Sequence, residues 1–188
     1  MVKKYIADGL TVLRVWSAAT VLLSGVLGNW ELALVMFIVG ALSDAFDGPA
    51  ARRWPYTEEE NRRYWWRKDA HQFDNFADLL LSGAGMVSLA LYYLPWWQAG
   101  LVVAGIGLVS FVIQTIVDRT GPRNPKLAER IDVAHGWLFG LELATMLVLM
   151  TLIVGANWLL PMYVIAAAPL LWFKWDRVTS RSELTYGS

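Results

Sequence analysis

An all-α integral membrane protein with six transmembrane helices is predicted for this chain, and three features of the sequence predict it. Apolar runs long enough to cross a bilayer recur along its 188 residues, 56% of which are hydrophobic. Apart from Arg14 near the start of the first run, lysine and arginine are confined to the two ends of the chain and to every second connection between those runs. Tryptophan, of which there are eleven, marks many of the run ends, as a membrane-interface belt does. The runs fall at about 10–28, 32–51, 71–94, 97–117, 133–155 and 158–173. No internal repeat or low-complexity tract divides them, so residues 1–188 read as one membrane domain.

Span one follows Lys3 and Lys4 and encloses Arg14 between Leu13, Val15 and Trp16. One reading of Arg14 is that its aliphatic stem lies along apolar surface while the head reaches the nearby interface. No segment has the short apolar core and small-residue cleavage site of a secretory leader, so span one is expected to remain in the mature protein. Span two follows Asn29 and ends in Asp44 and Asp47. In the charged connection from Arg53 to Asp69, Thr57 and Glu60 have the spacing of a helix capping box. Glu58 and Arg62, then Glu59 and Arg63, pair at four-residue spacing, and Tyr64, Trp65 and Trp66 would rest on the headgroup layer. This short helix reads as a solvated spacer or as a cover for a site.

Span three opens on the polar residues Asp74 and Asp78, and Pro95 separates it from span four. Arg119, Arg123, Lys126 and Arg130 lie between spans four and five. Asp132 and His135 share one face at the start of span five, and Glu142 lies about two to three turns deeper. A carboxyl at that depth needs a partner or a proton, and bonding between helices is its expected role. Span six is followed by Lys174, Arg177 and Arg181.

Net charge is zero, yet its placement orients the chain. The connections around Asn29, Pro95 and Asn157 carry no Lys or Arg, so both termini and the intervening aspartates are expected on the cytoplasmic side. Trp30, Trp96, Trp97 and Trp158 then mark outer ends of spans, and Trp54, Trp172 and Trp175 inner ends. The chain has no cysteine, which excludes thiolate catalysis, disulfides and Cys-ligated zinc. His71 and His135 are too isolated for a multi-histidine metal site, and no nucleic-acid partner is expected.

Chemistry concentrates in four aspartates arranged as two helical pairs. Asp44 and Asp47 are three residues apart, and Asp74 and Asp78 four, so each pair projects from one face of its helix. Gly48, Ala51 and Arg52 follow the first pair directly. Four carboxylates gathered at a membrane edge repel one another and lose hydration. A hard divalent cation, which takes carboxylate oxygens as ligands, reverses that penalty. Asp44 and Asp47 also lie toward the C-terminal end of their span, where the helix dipole disfavours negative charge. Taken alone, each pair also reads as a solvated helix end; together with Gly48 and Arg52 they point to a site.

The pattern Asp44-x-x-Asp47-Gly48-x-x-Ala51-Arg52, then Asp74-x-x-x-Asp78, resembles the signature of the CDP-alcohol phosphotransferases. These are membrane enzymes that move a phosphatidyl group from CDP-diacylglycerol, or a related donor, to an alcohol. Ala70 departs from the motif, which has a second glycine there, and the spacer from Arg53 to Asp69 is longer than is usual in the family. Extra loop length costs little closure entropy. Leu10-Thr11-Val12-Leu13-Arg14 is also similar to the start of the family's first helix, which implies a second reading of Arg14 as a ligand of donor phosphate.

The resemblance implies Asp44, Asp47, Asp74 and Asp78 as ligands of magnesium or manganese, two ions in all. Asp78 would also be the general base on the acceptor hydroxyl. Gly48, Ala51, Arg52 and Ala70 would face the donor nucleotide and its phosphates, with the backbone at Gly48 open to close approach. It also implies a homodimer and a role in phospholipid biosynthesis, read here for a prokaryotic cell membrane. Arg52-Arg53 and the small size resemble the glycerol-3-phosphate branch, the phosphatidylglycerophosphate synthases, although that branch has Lys where this chain has Leu79. Arg119, Arg123, Lys126 and Arg130 are the candidates for binding a phosphorylated acceptor. Inositol phosphate, serine and phosphatidylglycerol stay open as acceptors. From other classes, a cation transporter remains, although transport sites lie near the midplane; so does an inactive membrane scaffold.

Overall fold

The structure, a computed structural model, describes residues 5–54, 70–120 and 124–165. All the regular structure among them is helical. In chain order it comprises α1 (Ile6–Val26), α2 (Trp30–Arg53), α3 (Ala70–Tyr93), α4 (Trp96–Thr120), α5 (Pro125–Val154) and a single 3-10 turn at Asn157–Leu159. Four of these helices contain stretches long and apolar enough to cross a membrane, namely Ile6–Val26, Phe76–Tyr93, Trp96–Ile113 and Trp137–Val154. The second expected span is also a helix, of 24 residues, but it is not among the four. Glu31, Asp44 and Asp47 all lie within it. The second half of the sixth expected span, and the capping box at Thr57–Glu60, lie outside the described residues.

The chain divides into two compact units, Met1–Met150 and Thr151–Ser188. In the second unit, the Thr151 hydroxyl and the Tyr163 phenol share a hydrogen bond of 3.0 Å. In the first unit α1 packs against both α2 and α3, and α3 against α4. The α1 face that does so is a stripe of small and polar residues at three- and four-residue spacing, Thr11, Arg14, Ser17, Ala18, Val21, Ser24 and Gly25. Small side chains allow helix backbones to approach closely, which is how helices associate where lipid offers no hydrophobic contrast. A Cβ on Gly25 would stand 2.5 Å from Ser88 Cβ, and one on Gly40 would stand 2.8 Å from both Leu81 methyls. At Gly85 three helices meet, since a Cβ there would lie 2.7 Å from Met146 Sδ and 2.8 Å from Phe37 Cε2.

The α1–α2 turn is short because its chemistry closes α1 and opens α2 in three residues. Gly28 adopts φ +77°, its N–H donates to the Gly25 carbonyl at 3.1 Å, and the Asn29 N–H donates to the Ser24 carbonyl at 2.8 Å. That pair of bonds is a Schellman ending, in which the left-handed residue is glycine because a Cβ would clash. Asn29 then caps α2, its side-chain oxygen accepting from the Leu32 N–H at 3.2 Å. Trp30, expected in an outer aromatic belt, is instead 8% exposed and meets the Tyr92 ring edge-on at 5.0 Å. Trp96, Trp97 and Trp158 are exposed, as a belt requires. Many large apolar side chains elsewhere are exposed too, including Leu101, Leu108 and Phe111 of α4. Such a surface suits contact with lipid tails.

Candidate active site

The α1–α2 turn returns α2 antiparallel to α1, so the last turns of α2 come back beside the first turns of α1. Gly40 lets α2 approach both α1 and α3, with Ser17 and Leu81 against it. Ala77 and Ala50, both buried, keep the same end of the bundle narrow. The consequence is a convergence of three helices carrying all the charge of the described site: Arg14 from α1, Asp44 and Asp47 from α2, and Asp74 and Asp78 from α3.

Arg14 is at the centre and fully buried. Its Nη2 lies 3.0 Å from Asp44 Oδ1 and donates to Asp47 Oδ2. Its Nη1 donates to Asp74 Oδ1 at 2.8 Å and to Asp78 Oδ1. One terminal nitrogen therefore serves α2 and the other serves α3. The planar guanidinium can do this because it presents its N–H groups as a rigid fork. Nε, also buried, has no hydrogen-bond partner among the described residues.

The carboxylates differ in their access to solvent. Side-chain exposure is 46% for Asp44, 37% for Asp74, 24% for Asp78 and 10% for Asp47. Asp47 thus points inward, while the other three line the open side. Asp44, Asp74 and Asp78 each offer an oxygen within 4.8 Å of the others. That spacing, with oxygen-only donors, fits a hard divalent cation such as magnesium, manganese or calcium. Four carboxylates converge on the Arg14 guanidinium, and their mutual repulsion favours a bound cation.

The structure brings together the four aspartates that the motif singles out, and it adds Arg14. Snorkelling toward the interface, one of the two readings of Arg14 in the sequence, does not occur, because the side chain turns inward to the carboxylates. The available signal was a charged residue inside an apolar span, which needs a partner at depth. Gly48, Ala51 and Arg52 fall in the last two turns of α2, with Ala51 exposed, and Ala70 is the first residue of α3. The surroundings of Gly48, Arg52 and Ala70 lie outside what the structure describes. Arg119 is exposed in the last turn of α4. Lys126 and Arg130 lie in the first two turns of α5, with side chains outside the description, and Arg123 is itself outside the described residues. Glu142 is half-buried on α5.

No curated protein and no solved structure matches the chain. A family model does match, over a stretch that includes α1, the α1–α2 turn and the whole of α2. The match takes in Arg14 and the first half of the aspartate motif and stops short of Asp74 and Asp78. Residues 4–59 thus carry the match to the CDP-alcohol phosphatidyltransferase family, the same family that the aspartate motif resembles.

Proposed function

We propose that the protein transfers a phosphatidyl group from CDP-diacylglycerol to an alcohol, glycerol-3-phosphate as the leading acceptor, and releases CMP. The observation that supports this most directly is the convergence of Asp44, Asp47, Asp74 and Asp78 at one end of a helix bundle whose first two helices match the family. The charge pattern of the connections supports a cytoplasmic site in a six-span, single-domain protein, and the resemblance supports a homodimer in a prokaryotic cell membrane. A site at the membrane boundary suits such a donor, whose acyl chains stay in lipid while its cytidine stays in water.

Asp44, Asp74 and Asp78, with Asp47 behind them, would hold the divalent ions. Bound there, the ions would neutralise the donor pyrophosphate and the departing CMP. Asp78, itself one of the ligand trio and partly open to solvent, accepts the proton of the acceptor hydroxyl. The acceptor oxygen attacks the phosphorus that bears the diacylglycerol, a new P–O bond forms, and the bond to the CMP oxygen breaks. No covalent enzyme intermediate is needed. Arg52 binds donor phosphate, and Gly48 lets the nucleotide lie against the backbone. Arg119, Arg123, Lys126 and Arg130 recognise the acceptor's phosphate.

The test is CMP release from CDP-diacylglycerol by the purified protein in detergent, with and without chelator, across a panel of alcohols. Glycerol-3-phosphate, inositol phosphate, serine and phosphatidylglycerol separate the acceptor branches. Absence of CMP release with every alcohol, in protein that is folded and supplied with magnesium, would overturn the assignment.

A further inference from the structure

We propose that Arg14 is the resident counter-ion of the aspartate cluster, a positioning residue that joins α2 to α3 and gives way when a divalent cation binds, so that the cation enters by exchange. The proposal rests on the divalent-cation reading of the site given above. Its basis is that the guanidinium and a cation would use the same carboxylates. Arg14 contacts Asp44 Oδ1, Asp74 Oδ1 and Asp78 Oδ1, and these three aspartates form the group with ligand spacing. Both terminal nitrogens are engaged, each with two carboxylates, one pair on α2 and one on α3.

This arrangement leaves Arg14 little capacity for a second anion. Its four terminal N–H groups face four carboxylates, so donor phosphate can gain them only after some carboxylates let go. Nε, buried and without a hydrogen-bond partner among the described residues, gives the head no anchor there on its third side. Among the described residues the fork is held by the four aspartates, and a cation that takes the aspartates releases it. Arg14 is also fully buried, so its guanidinium lies wholly among the side chains it bridges. Without Arg14 the ion-free protein must hold four facing carboxylates without the guanidinium that bridges them.

The experiment uses the full-length protein in detergent, with Arg14→Met and Arg14→Lys variants. Two quantities are read: the melting temperature in EDTA, and the affinity for Mn²⁺ from the EPR signal of the free ion. Arg14→Met should melt at a clearly lower temperature in EDTA and recover most of the loss with Mn²⁺. It should bind Mn²⁺ about tenfold or more tightly than the parent, since a competing positive charge has been removed. Arg14→Lys keeps the charge without the fork and should fall between the two in both readings. A merely structural arginine would lower the melting temperature without tightening Mn²⁺ binding, and that result overturns exchange. An unchanged melting temperature in EDTA overturns the bridging role. If Arg14→Met does not yield folded protein, Arg14→Lys decides alone, and identity with the parent in both readings refutes the proposal. Failure of all three proteins to bind Mn²⁺ overturns the metal site itself and exchange with it, whereas equal Mn²⁺ binding leaves the site standing and removes only exchange.

Discussion

Asp78→Asn separates chemistry from architecture at this site, and the structure sets the size of both effects. Asparagine keeps an oxygen where Arg14 Nη1 donates, so the hydrogen bond survives without the carboxylate's charge. A hydrogen bond to a charged group contributes about 1.5–3 kcal/mol and a neutral one about 0.5–1.5, so the loss is about 1 kcal/mol. Relief of repulsion from Asp44, Asp47 and Asp74 offsets part of it. The melting temperature should therefore fall by no more than about 2–4 °C. Loss of a general base, in contrast, costs about 10²- to 10⁴-fold in rate, which is about 3–5 kcal/mol of barrier. Single-turnover CMP release measured by rapid quench, at saturating donor and acceptor, reads the chemical step directly. Asp47→Asn is the contrasting variant, because Asp47 is the most buried of the four and faces Arg14. It should lower stability and Mn²⁺ binding together. A single-turnover rate for Asp78→Asn within tenfold of the parent would refute its role as base, and equal loss of metal affinity in the two variants would reduce Asp78 to one more ligand.

Chelation should abolish turnover, and magnesium or manganese should restore it, while thiol reagents should have no effect on a chain without cysteine; CMP release after EDTA treatment and repletion checks both halves. Gly25→Ala should destabilise the fold by about 1–3 kcal/mol, because the new Cβ would lie 2.5 Å from Ser88 Cβ, an atom fixed to the α3 backbone. Thermal unfolding checks it, and adding Ser88→Gly should restore much of the loss. Arg123→Ala or Arg130→Ala should raise the acceptor KM by roughly ten- to a hundredfold with little change for CDP-diacylglycerol, as loss of a charged hydrogen bond to phosphate requires. If neither variant moves the acceptor KM, those residues act only in membrane topology, and the glycerol-3-phosphate assignment loses its support.

Much of this protein is legible locally. Apolar runs of spanning length mark the helices because a bilayer leaves no other way to satisfy the backbone. The three- and four-residue spacings place Asp44 with Asp47, and Asp74 with Asp78, before any fold is known, because the helical repeat is fixed by backbone geometry. The charge-free connection around Asn29 falls where α1 gives way to α2, though the boundaries were less legible: span two, expected at 32–51, is the helix Trp30–Arg53, which carries on through Gly48 and past the aspartates. Trp30 was misplaced because an aromatic at a span end looks the same in sequence whether it faces lipid or, as here, Tyr92.

Only the tertiary structure decided what Arg14 does. Asp47, Asp74 and Asp78 lie 33, 60 and 64 residues from it along the chain, and they and Asp44 stand on two other helices. Periodicity identifies which residues share a face of one helix, but not which face of another helix they meet. That depends on how α1, α2 and α3 rotate and approach, which Gly25, Gly40 and Ser17 set by permitting close contact. A buried guanidinium and four carboxylates then find each other because, away from water, each is costly without the others.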